Sequence, residues 1–245
     1  MPETIALLLK ELKLPSFKVN YQSHQLQAIE KGYGHIRYLS GLCEQEMADR
    51  YQKRVQQWNR EAGLPPGKSF TKLHLTEYCE ALQQQIMALK DDIDWARRAE
   101  NILLIGPSGV GKSHIAAALA YQLVEKKIRV KWFTAMTLVQ LLQQAKRDLN
   151  LKTIMTRLDK YQALIIDDIG YVKKTDAETQ VLFEFIAHRY ESASLIITSN
   201  QPFSQWDQIF PDTMMTVAAI DRIIHHATII ELNGESYRKK QSIKK

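Results

Sequence analysis

The sequence predicts an α/β protein: a central parallel five-stranded sheet covered by helices, preceded by a small all-α region. Three observations predict it. Before residue 101, apolar residues recur at intervals of three and four, and no strand-like run occurs. After it, short apolar runs alternate with helical stretches, the pattern of a sheet buried on both faces. Where the two regimes meet, a Gly-rich turn joins the first apolar run to a helix.

In the first regime Ile5, Leu8, Leu9 and Leu12 form one helix face, and Pro15-Ser16 stops that helix. A second stripe runs through Ile36, Leu39, Cys43, Met47, Tyr51, Val55 and Trp58 and ends at Gly63-Leu64-Pro65-Pro66-Gly67. A third carries Leu75, Cys79, Leu82, Ile86, Leu89 and Ile93. In the second regime, strands are expected at 102–105, 129–133, 163–167, 194–198 and 227–231, with helices over 112–125, 136–148 and 176–190. The organisation read from this is a helical N-terminal domain for partner or DNA binding at 1–67, a helical linker at 68–100, an ATPase at 101–238 and a basic tail at 239–245.

The chain has 245 residues, 45% of them apolar and 24% charged, which excludes a chain too polar to bury a core. Its longest apolar run, Ile115–Tyr121, falls far short of the ~20 residues a spanning helix needs, so no membrane partner is expected. Met1-Pro2-Glu3 does not open a signal peptide. Cys43 and Cys79 read as reduced thiols of a cytoplasmic protein. The net charge is +6. Residues 1–100 hold 14 basic and 13 acidic side chains, and residues 101–245 hold 19 and 14. The surplus in the second half invites a polyanionic partner.

Gly106-Pro107-Ser108-Gly109-Val110-Gly111-Lys112-Ser113 fits G-x-x-x-x-G-K-[ST], with His114 next on the helix. Glycines let backbone N–H groups close around phosphate oxygens, the lysine reaches the β- and γ-phosphates, and the Ser113 hydroxyl ligates Mg²⁺. The loop follows an apolar strand and opens a helix whose N-terminus favours anions. ATP and Mg²⁺ are therefore the expected cofactors. Asp167 and Asp168 end an apolar strand, where bare carboxylates are costly. Asp167 is placed to hold Mg²⁺ and Asp168 to deprotonate an attacking water. Thr198-Ser199-Asn200 ends the next strand, with Asn200 the candidate for the γ-phosphate or the water. Arg222, after Asp221, is a candidate finger at the γ-phosphate, supplied from a neighbouring subunit. His225-His226 has no third ligand spaced nearby and reads as surface. A small-molecule kinase would need an acceptor pocket and a basic lid, and the sequence carries neither.

These segments together resemble the IstB-like ATP-binding proteins, helpers of a bacterial insertion-sequence transposase, grouped with the DnaC helicase loader and the DnaA initiator in the AAA+ class. The resemblance is carried by Arg98–Pro107, Ile166–Tyr171, Thr198–Trp206 and Asp221–Ala227, followed by Gly234-Glu235-Ser236-Tyr237-Arg238. It implies a P-loop AAA+ domain and a slow ATPase, stimulated by DNA or by assembly. It also implies an ATP-dependent homo-oligomer on duplex DNA, a transposase of the same insertion element as partner, and a cytoplasmic, nucleoid-associated location. In that frame Gly106 to Ser113 bind ATP, Asp167 and Asp168 are the acids, Asn200 is the first sensor and Arg222 the finger. The alternative client is a replicative helicase, as for DnaC. Lys146, Arg147, Lys152, Arg157 and Lys160, against Asp148 and Asp159, are the candidate DNA contacts, sequence-blind and salt-sensitive. Seven residues follow Arg238, too few for the helical lid that AAA+ proteins usually carry after the fifth strand.

Overall fold

The computed structural model describes residues 2–170, 175–208, 213–234, 236 and 237. The chain forms two compact units, Met1–Gln57 and Trp58–Lys245. Among the described residues, no helix is long and apolar enough to cross a membrane.

The first unit holds α1 (Pro2–Glu11), α2 (Pro15–Glu30) and most of α3 (His35–Ala62). α1 ends before Pro15, as expected, and Pro15 also opens α2. Its missing N–H is lost where a helix start has no use for it, and its fixed φ suits the first turn. The cap comes from far along the chain: Ser16 N–H donates to Glu46 Oε2 at 2.8 Å and Ser16 Oγ to Asp49 Oδ2 at 2.6 Å. Burial would raise the Glu46 carboxyl, but bonds from Arg50 and the Ser16 and Phe17 amides outweigh it and hold the pKa below the usual range. Leu9 and Leu42 are buried, while Val19, Leu26, Ile29 and Ile36 stand open to solvent.

In the second unit, short 3₁₀ turns at Phe70–Lys72 and Leu75–Glu77 lead to α4 (Glu80–Asp91), and a third turn, Asp94–Ala96, precedes the sheet. The order is then β1 (Asn101–Ile105), α5 (Lys112–Glu125), β2 (Val130–Thr134), α6 (Ala135–Arg147), α7 (Leu151–Leu158), β3 (Ala163–Asp167), α8 (Asp176–Arg189), β4 (Ser194–Ser199), α9 (Thr213–Ile224) and β5 (Ala227–Glu231). The five expected strands are all present. Helices α2, α7 and α9 are additions to the sequence reading.

All strands are parallel, in the order β2-β3-β4-β1-β5. From β1 the chain crosses to the far edge through α5, steps back through β3 and β4, and passes over β1 to β5 at the other edge. Right-handed crossovers place α5 on one face and α6 to α9 on the other. Strand alternation serves both layers. Leu103, Leu164, Ile166, Leu195 and Ile197 pack with Leu138, Leu142, Leu182, Phe185 and Ile223 from the α6–α9 side. The alternate residues Ile102, Leu104, Ile165 and Ile196 are equally buried. Each such side chain contributes roughly 1.5–3 kcal/mol.

Two buried polar side chains tie the layers at the amino edge of the sheet. Asn101 Nδ2 donates to the Ile223 carbonyl and its Oδ1 accepts from Leu195 N–H, both at 2.9 Å. Arg189, 1% exposed, donates to the carbonyls of Tyr161 at 2.8 Å and Leu158 at 3.3 Å. Burial pulls its pKa down to about 10, opposed by Asp159.

Candidate nucleotide site

Parallel strands end at one edge, where ligands of such sheets bind. The phosphate loop follows β1, Asp167 and Asp168 close β3, and Thr198 to Asn200 close β4. Gly106 N–H donates to Ser199 O at 3.1 Å, and Ile169 N–H to Thr198 O at 3.0 Å, so neighbouring strand ends hold one another.

The loop is braced from both flanks. Tyr78 Oη donates to the Val110 carbonyl at 3.0 Å, and burial raises the pKa of this phenol, keeping it a donor. Gly111, at φ 104°, has that hydroxyl so close that a Cβ would lie 2.1 Å from it. On the other flank Tyr237 N–H donates to Gly109 O at 3.0 Å. Gly109, at φ 89°, leaves the same 2.1 Å gap to Ser236 Oγ. Both positions therefore require glycine. His74 stacks on Tyr237 with ring centroids 5.8 Å apart.

Lys112 is 5% exposed, with Nζ donating to the carbonyls of Gly106 at 2.6 Å and Pro107 at 2.7 Å. Ser113 Oγ donates to Asp167 Oδ1 at 2.8 Å. The same oxygen accepts from Thr198 Oγ1 at 2.6 Å, and Asp168 N–H donates to Thr198 Oγ1 at 2.9 Å. Asp168 sits at φ 61°, the left-handed region. Asn200 Oδ1 is buried with no hydrogen-bond partner among the described residues. Leaving such an acceptor unmatched costs about 1–3 kcal/mol. The His114 ring is held by the chain itself: its Nε2 donates to Ser69 O at 3.1 Å, and desolvation holds its pKa low.

The fold thus gathers the phosphate loop, Asp167, Asp168 and Asn200, and leaves Arg222 elsewhere. Arg222 is on the last turn of α9, exposed, with its guanidinium on the Ala218 carbonyl at 2.9 Å. Ile223 beside it is tied to Asn101 at the amino end of β1, a strand's length, roughly 13–17 Å, from the loop. The basic residues between β2 and β3 lie toward the same amino edge. Lys146 pairs with Glu184 at 2.8 Å, Arg147 donates to Gln144 at 2.9 Å, and Lys160 lies over the Tyr161 ring at 4.9 Å. Lys152 and Arg157 are exposed. Arg238 and the tail lie outside the described residues.

The sequence reading missed Thr198 and Tyr78 as site residues. A threonine where a central strand's alternation calls for an apolar side chain was the available signal for the first; nothing local marked the second. The reading also found no third ligand for His225-His226, whereas the fold brings Glu191 to them. Their donor atoms lie within 4.8 Å of one another on an exposed surface, and Tyr190 Oη is 2.9 Å from His225 Nδ1.

A Gly-rich loop at a helix N-terminus, with its lysine, hydroxyl and strand-end carboxylates, on this sheet defines a P-loop protein of the AAA+ fold. Solved structures agree. The DnaC helicase loader superposes with a TM-score of 0.53 at 18% identity, over 65% of this chain and 96% of that one. DnaI gives 0.58 at 18% identity, over 70% and 95%. AMPPCP-bound DnaA from Aquifex aeolicus gives 0.58 at 15% identity, over 74% and 54%. The chain belongs to the family of IstB-like ATP-binding proteins, whose model matches residues 7–245. An insertion-sequence ATP-binding protein of Sinorhizobium fredii is 43% identical over 239 residues, 98% of this chain and 80% of the relative. That of IS21 from Pseudomonas aeruginosa is 31% identical over 240 residues, 98% and 90%.

Proposed function

We propose that the protein is an ATP-dependent, DNA-binding regulator of transposition. ATP bound at Gly106–Ser113 builds a homo-oligomer on duplex DNA. The oligomer recruits and stimulates the transposase of the same insertion element, and hydrolysis dismantles it. Within this scheme residues 1–67 meet the partner, 68–100 lead into the ATPase at 101–238, and the basic tail at 239–245 follows it.

The observation that carries the reading is the separation of Arg222 from the phosphate loop across the length of β1. A chain with its loop and acids at one edge and its finger at the other is completed by a second copy. The residues around the loop suit their roles. The backbone N–H groups and Lys112 bind phosphates, and Asn200 orients the attacking water. Asp168 then takes its proton. Ser113 and Asp167 offer the hard oxygen donors that suit Mg²⁺, and the ion when bound would neutralise charge on the β- and γ-phosphates.

Sedimentation with duplex DNA and a non-hydrolysable ATP analogue tests the assembly; a monomer at saturation refutes it. Arg222→Ala should still bind nucleotide yet lose about 10³-fold in hydrolysis. Mixing it with Asp168→Asn should restore part of that rate, since mixed interfaces pair an intact loop with an intact finger. Pull-downs with purified transposase and replicative helicase separate the two client readings.

A further inference from the structure

We propose that Thr198 is a positioning residue for ATP hydrolysis, a clamp that β4 places on the acid pair of β3. The inference rests on Asp168 being the base that activates water. Thr198 is fully buried in a central strand, after Ile196 and Ile197. A hydroxyl there is costly unless bonded, and valine would fill the same volume. Its bonds go to three consecutive residues of the neighbouring strand end. Oγ1 donates to Asp167 Oδ1 at 2.6 Å and accepts Asp168 N–H at 2.9 Å, while its carbonyl accepts Ile169 N–H at 3.0 Å.

These bonds have a purpose that packing alone does not explain. Asp168 is held at φ 61°, a conformation unfavourable for a non-glycine residue that persists only where its surroundings impose it. The bonds to Thr198 on either side of that residue impose it, and so aim the Asp168 carboxylate. Asp167 Oδ1 is shared between two hydroxyls. Ser113 lies in the first turn of α5 at the phosphate loop, where the nucleotide's metal would engage it, whereas Thr198 lies on the sheet and keeps its bond. Thr198 thereby fixes the direction of both carboxylates.

The test uses the full chain with DNA, ATP and Mg²⁺. Thr198→Val should bind a fluorescent ATP analogue within about threefold of the wild type, while kcat falls about 10- to 100-fold with little change in KM, the expected penalty for misaimed reacting groups. Thr198→Ser, which keeps the hydroxyl, should recover most of the rate. In Asp168→Asn the added Thr198→Val should cost well under its full factor, since its part in aiming Asp168 is already lost and only its hold on Asp167 remains. A Thr198→Val enzyme with wild-type kcat, or one that slows Asp168→Asn by its full factor, overturns the proposal. If Asp168→Asn turns over at the wild-type rate, the base assignment itself falls and the proposal with it. Inactive Asp168→Asn beside active Thr198→Val condemns Thr198 alone. Should Thr198→Val fail to fold by thermal melting, Thr198→Ala carries the same expectations.

Discussion

His114 shows how a motif residue can be held by something other than the motif's ligand. It follows the phosphate loop in sequence, yet its ring donates to the Ser69 carbonyl. Desolvation lowers its pKa from the ordinary 6.5, against a raising effect from that bond. The folded pKa lies below the unfolded one, so as pH falls the unfolded chain takes up the proton first and gains on the native state. Thermal melts should therefore show stability falling as pH drops below about 6.5. His114→Gln, which keeps a donor for Ser69, should flatten that dependence; an unchanged slope would clear His114 of it. The loop, Asp167, Asp168 and Asn200 were legible because each is a local pattern at a strand end. Thr198 was not recognised, because its meaning lies in bonds to Asp167 and Asp168, 31 and 30 residues back. His225-His226 are exposed, as expected of a surface pair, and the Glu191 beside them was hidden for the same reason, since it reaches them only through the fold.

Among the elements, the strands of the second unit were the easiest to read: runs such as Leu164-Ile165-Ile166 sit between sharp breakers and are buried on both faces. That a new helix opens at Pro15 was not legible because its first turn is capped by Glu46, 30 residues from Ser16. Helix α9, which carries Asp221 and Arg222, is absent from the sequence reading, which gave that pair a chemical role and no element. The connection from α8 into β4 rests on Arg189, whose guanidinium fills the space between Leu158, Tyr161 and Ser194 with bonds to all three carbonyls. Arg189→Ala removes those donors and leaves a cavity among orphaned carbonyls. It should cost about 3–5 kcal/mol, read as a lowered denaturation midpoint. A midpoint within error of the wild type would mean water replaces the guanidinium at no loss.

For the whole molecule, the class of fold was legible and the strand order was not. Alternating strands and helices imply parallel pairing, but placing β1 between β4 and β5 depends on packing across the finished sheet. That order sets the distribution of charge. Lys152, Arg157 and Lys160 lie toward the amino edge, away from the phosphate loop, while Lys146 is committed to Glu184. Duplex affinity in the ATP-bound state should fall linearly with log salt. Replacing Lys152, Arg157 and Lys160 by alanine should reduce the slope by about 2–3, near 0.9 for each phosphate no longer neutralised. An unchanged slope removes this segment from the interface.

The two tyrosines beside the phosphate loop have a mechanical consequence. Lys112 can meet a triphosphate only by letting go of the Gly106 and Pro107 carbonyls, and the backbone between them cannot rearrange in isolation. Val110 is anchored to Tyr78, Gly109 to Tyr237, and through His74 the anchors lean on one another. A nucleotide that shifts the loop must therefore strain two anchors more than 150 residues apart in the chain, one upstream of the sheet and one beyond its last strand.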